Sequence, residues 1–165
     1  MILRILLAIL AGLLAGLFEV AISPFMPAWL DIRPLFPLLA VLIVSSSRSR
    51  VYAAAIVGAL VIEAYAISAP DAPLFRILIV AVLMDVAARR FLTNRSVYAT
   101  SALAVFGGIV SWILMVGISG AAIALGLADG PWAPAGFPLF SLLWDVALTA
   151  VAFLSVAGFT ARFRL

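Results

Sequence analysis

No cysteine, histidine or lysine occurs anywhere in the 165 residues, and charged side chains make up only 10% of them. Without cysteine there can be no disulfide, no thiolate metal site and no cysteine nucleophile. Without histidine the commonest general base and metal ligand is gone. Classical catalytic options therefore shrink to serine, tyrosine, aspartate and glutamate. Scarce charge excludes a further class: a chain that is 67% hydrophobic has too little polar surface to cover a soluble globule of this size. The bilayer is its expected solvent. A pI near 10.2 would suggest nucleic acid in a soluble protein. Here the basic residues are all arginines placed at the flanks of apolar runs, so the charge serves topology and lipid headgroups, and no nucleic-acid partner is expected.

What is present is a sharply asymmetric pattern of arginine. Arg4 precedes the first apolar run, Arg48 and Arg50 follow the second, Arg89, Arg90 and Arg95 follow the fourth, and Arg162 and Arg164 follow the last. The alternate breaks hold Asp31 with Arg33, Asp71 with Arg76, and Asp129. Arginine is retained at the cytoplasmic face, so both termini and the two basic loops are expected inside. A helix needs about 20 apolar residues, and at least about 17, to cross about 30 Å of hydrocarbon. On that scale the chain reads as an all-α bundle of six transmembrane helices over residues 5–22, 33–47, 51–69, 74–90, 97–120 and 138–161, with five as the alternative. The second and fourth runs are short and would cross by local thinning or by borrowing neighbours. The whole chain forms a single transmembrane domain in this reading.

The first run could be mistaken for a signal peptide. Its apolar core is long, and Pro24 follows Ala21-Ile22-Ser23, so it reads as an uncleaved anchor. The outer loop from Ser23 to Pro37 carries four prolines with Phe25, Trp29 and Phe36, a composition that breaks helices and seats rings at headgroup level. The segment DGPWAPAGFP repeats that chemistry. Trp29, Trp132 and Tyr52 read as interfacial belt residues.

Four carboxylates fall within the spans, and each needs a reason, since a charge at the bilayer centre costs at least about 2.5–3.5 kcal/mol on insertion scales. Glu19 follows Ala8, Gly12 and Gly16; Glu63 follows Ala55 and Ala59; Asp145 sits between Ser141 and Thr149. These spacings of three and four put each acid on a stripe that lets another helix approach closely. All three lie in the outer half of their helices, near Arg33 and Arg76, which makes an outward-facing polar cluster the candidate site. Packing with paired or protonated carboxylates is the plain reading; a ligand pocket, a proton path or a docking surface are the sharper ones. Asp85 lies at the inner end with Arg89 four residues on, the favourable order for an intrahelical pair, and reads as an anchor. Gly107, Gly108 and Ser111, with Gly117 and Gly120, form a close-contact face on the fifth span, as Gly12 and Gly16 do on the first. Asp85 and Asp145 sit at opposite depths and cannot form a dyad. No enzyme activity, metal or cofactor is expected.

The segment FEVAISPFMPAWLDIRPLFPLLAVLIV, a proline-aromatic loop before a short span, leads on to VGALVIEAYAISAPDAPLF and then RRFLTNRS. In this order the region from Phe18 to Ser96 resembles the rod shape-determining protein MreD family of bacterial inner-membrane proteins. The resemblance implies a non-catalytic scaffold of the cell-wall elongation machinery that binds the bitopic protein MreC, and with it links wall synthases to cytoplasmic MreB filaments. Family folds are also similar to the substrate-binding components of energy-coupling-factor vitamin transporters. That supplies the alternative, a small-solute binder using Glu19, Glu63 and Asp145 as its pocket.

Overall fold

The computed structural model describes residues 2–27, 32–65, 72–92, 96–127 and 138–162, with side chains as far as 157. Trp29, Asp31, Asp71, Arg95, Asp129, Trp132 and Arg164 lie outside the described residues. Six helices account for most of the rest: α1 (Ile2–Ala21), α2 (Leu35–Ser45), α3 (Arg48–Tyr65), α4 (Pro73–Phe91), α5 (Val97–Ala124) and α6 (Leu139–Arg162), with a 3-10 turn at Ser23–Phe25. The chain is an all-helical membrane protein. Among the described residues, three stretches are long and apolar enough to cross a bilayer on their own: Ile2–Ala21, Val97–Ala124 and Leu139–Ala157. The others fall short for separate reasons. α2 has only 11 residues, while α3 and α4 each carry at least three charged side chains.

Several boundaries differ from the sequence reading. α2 is shorter than 33–47, because Pro34 sets its start and Ser46 closes it by donating its N–H to Leu42 O. Arg48 and Arg50 belong to the first turn of α3 rather than to a loop. α5 runs four residues past 120.

At about 1.5 Å per residue, α2 is roughly 16 Å long, about half the hydrocarbon thickness. Its position explains how so short a helix is tolerated. α2 touches all five other helices, and Leu35, Leu39 and Ala40 are fully buried. Protein rather than lipid surrounds it, which is the environment its all-round apolar sequence LFPLLAVLIVS suits.

α1 and α3 meet through small residues, as association in lipid requires. A Cβ on Gly12 would run into the backbone of Ala54, and one on Gly16 would lie 2.8 Å from Gly58 O. The contacts advance together, Gly12 with Ala54 and Gly16 with Gly58, so the two helices run parallel. α3 and α4 are antiparallel: Arg48 and Tyr52 reach Asp85 at one end, and Glu63 reaches Leu74 at the other. α4 and α5 are also antiparallel, because Met84 lies against Gly107 while Phe91 and Leu92 share a groove with Ala102 and Leu103. These directions bring Arg4, Arg48, Arg50, Arg89 and Arg90 to one end of the bundle.

Candidate functional site

Glu19 and Glu63 are carried by the paired helices α1 and α3, and Asp145 by α6. The register that sets Gly16 beside Gly58 puts Glu19 level with Val61, close in height to Glu63. Asp145 is carried by α6, which packs on α5 and α2 and, among the described residues, on none of α1, α3 or α4.

Their environments differ as much as their positions. Glu63 is exposed, and its Oε2 accepts the Leu74 N–H at 2.9 Å. That bond caps α4, whose N-cap is Ala72, a residue with φ of 42° and no side-chain acceptor of its own. A left-handed alanine costs about 1 kcal/mol, and an acceptor from the preceding helix offsets a strained, uncapped start. Glu19, Arg33 and Arg76 are half-buried, with Glu19 Oε2 and Arg76 Nε sealed from solvent. Asp145 is 1% exposed, flanked by buried Ser141 and Thr149. A Cβ built on Gly108 would lie 2.6 Å from Leu142 Cδ2 and 3.2 Å from Asp145 Oδ2, so the glycine makes room for the leucine first and the carboxylate beside it. None of Glu19, Arg33, Arg76 and Asp145 is left without an interaction. The glycines singled out from sequence serve contacts within the bundle: Gly107 faces Met84, Gly108 faces Leu142 and Asp145, and Ser111 is buried. Gly117 faces open space.

A second polar arrangement lies at the arginine-rich end. Arg89 Nε donates to Asp85 Oδ1 at 2.9 Å and Arg48 Nε to Asp85 Oδ2 at 3.1 Å, with the Tyr52 hydroxyl 3.4 Å from Oδ2. Asp85 itself is almost wholly buried, whereas both guanidinium side chains are more than half exposed. One carboxylate thus aligns two cations and leaves the group with a formal charge of +1. Each arginine binds through Nε, which leaves its Nη donors for another acceptor. A cavity of about 290 Å³ opens beside them, between the C-terminal ends of α2 and α4. Ile43, Val44 and Ser46 wall one side, Asp85, Ala88 and Arg89 the other.

The sequence shows the Asp85–Arg89 pair but not its junction with Arg48 and Tyr52, whose positions read as a loop and as the interfacial belt. A signal for them exists in hindsight. Arg48 and Tyr52 are four apart at the start of a helix, as Asp85 and Arg89 are four apart at the end of the next, and an antiparallel hairpin sets the two pairs face to face. Comparison of the chain with protein-family models, with curated proteins and with solved structures returns no match.

Proposed function

We propose that this protein is a non-catalytic scaffold of a bacterial cytoplasmic membrane, of the MreD kind, that holds a bitopic MreC-like protein and through it cell-wall synthesis proteins. All six helices span in this reading, with both termini and the arginine-rich end in the cytoplasm.

The observation that carries it is the outer face of α1. Because Ala8, Gly12, Ala15 and Gly16 are turned inward, the opposite face presents Leu3, Leu7, Leu10, Leu14 and Leu17, all exposed. Their spacing of four, three, four and three is the heptad seam on which a second helix packs knobs into holes. A single-span partner needs a surface of this length and regularity. The small-residue faces, which the sequence marks for close helix contact, are occupied within the bundle by Ala54, Gly58, Met84 and Leu142. The acids also serve the frame: Asp85 joins α3 to α4, Glu63 caps α4, and Asp145 lies beside Leu142 against Gly108. The solute-binding alternative needs Glu19, Glu63 and Asp145 to converge, whereas among the described residues the helix that carries Asp145 packs on α5 and α2 rather than on α1 or α3.

Affinity purification from native membranes in mild detergent tests the proposal, with Leu7→Ala/Leu14→Ala compared with the unaltered chain. A single-span protein should co-elute with the unaltered chain and be depleted from the variant at equal yield of folded bait. Equal recovery from both, or no single-span protein from either, refutes it.

A further inference from the structure

We infer that the cavity between the C-terminal ends of α2 and α4 is a site for an anionic phospholipid, with the phosphate held by Arg89 and Ser46 beside the Arg48–Asp85 pair and an acyl chain lying in the adjoining groove between α4 and α5. The polar half comes first. Asp85 already occupies the Nε donor of Arg89, which lines the cavity, and of Arg48 next to it, so their Nη donors remain for phosphate oxygens. Ser46, on the opposite wall, has its Oγ buried with no hydrogen-bond partner among the described residues. A buried hydroxyl without a partner costs free energy, and a phosphate oxygen would accept from it. The C-terminal dipoles of α2 and α4 oppose an anion here; the N-terminus of α3, three residues after α2 ends, offsets about half of that, and the arginine charge must supply the rest.

The apolar half distinguishes a lipid from a free anion. Leu92 lines the polar cavity and also a second, apolar cavity of about 210 Å³ bounded by Ala87, Phe91, Leu103 and Phe106. A polar pocket that shares a wall with an apolar groove, at the end of a membrane bundle where arginines collect, matches the amphipathic shape of a phospholipid. The site rests only on the chain lying in a bilayer and is independent of the scaffold reading.

The test uses the purified full chain in neutral detergent. Its melting temperature is followed on titration with phosphatidylglycerol, phosphatidylcholine or inorganic phosphate. Phosphatidylglycerol should raise the melting temperature by several degrees and the other two should not. Arg89→Gln should weaken the phosphatidylglycerol response by roughly tenfold in concentration, about the size of one charge-assisted hydrogen bond. Ala88→Trp, which fills the cavity without touching a charge, should abolish the response, with Ser46→Leu as a second plug should Ala88→Trp not fold. Arg50→Gln/Arg90→Gln removes two surface charges and should leave the response intact. A phosphatidylglycerol shift that survives both a plug and Arg89→Gln overturns the assignment, as does one lost equally in the surface double variant. An equal shift with inorganic phosphate shows a free-anion site and overturns the lipid.

Discussion

Gly12→Ala adds one methyl group where the bundle has no room for it. The new Cβ would sit 2.8 Å from Ala54 Cα and 2.9 Å from its carbonyl carbon, against roughly 3.4–4 Å for an ordinary contact, and closer still to the carbonyl oxygen. All of these are backbone atoms, so no rotamer change relieves the clash and α1 must move away from α3 by several tenths of an ångström or more. Overpacking of this kind costs about 1–3 kcal/mol. Replacing glycine inside a helix returns about 0.8–1 kcal/mol. Because every clashing atom is backbone, the upper part of that range applies, about 2–3 kcal/mol, and the net expectation is a loss of about 1–2 kcal/mol, all of it at the α1–α3 seam. Gly16→Ala meets Gly58 O at 2.8 Å and should lose less. Gly117→Ala meets nothing within 4 Å, so only the helix-propensity gain remains and its sign is opposite. Thermal denaturation of the three variants in one neutral detergent should rank Gly117→Ala at or above the unaltered chain, then Gly16→Ala, then Gly12→Ala. A Gly12→Ala protein that melts with or above the unaltered chain would refute the parallel α1–α3 packing.

Asp85→Asn removes the anion that holds Arg48 and Arg89 together; because both guanidiniums are largely solvated, a loss of about 1–2 kcal/mol is expected in the same melting assay, rather than the larger penalty of a sealed pair. Arg48→Gln should lose less, since Arg89 still neutralises the carboxylate. Glu63→Ala should cost about 1 kcal/mol through loss of the α4 cap, and Glu63→Gln, which keeps an acceptor oxygen, should recover most of it. A C-terminal alkaline phosphatase fusion should be inactive and a cytoplasmic reporter at the same point active; the reverse would overturn the six-span, both-termini-inside topology.

Apolar segments were legible in the sequence because bilayer-length runs need no partner to identify them. Their partners were not legible. Gly12 and Gly16 stand out as a close-contact face, and Ala54 and Gly58 carry the same spacing of four. Nothing in a one-dimensional pattern says that the two stripes meet each other rather than another chain. For α2, shortness suggested a thinned bilayer; its freedom from polar residues on every side was the better signal, since such a helix belongs inside a bundle. Arg48 was hidden by the convention that arginines flank spans, although helical residues can do the same. The leucine seam of α1 was invisible for a simpler reason. Leucine is expected on every face of a membrane helix, and only the inward turn of the glycines shows which leucines are left outside.

Site-directed photo-crosslinking measures the α1 seam most directly. A photoreactive residue would be placed in turn at Leu10 and Leu14 on α1, and at Leu143 and Leu154 on α6, which are similarly exposed apolar positions on another helix. Crosslinks to one single-span membrane protein from both α1 positions and from neither α6 position are the expected result. Crosslinks from α6 alone, or only to lipid from all four positions, would contradict the proposal that α1 carries the docking surface of a scaffold.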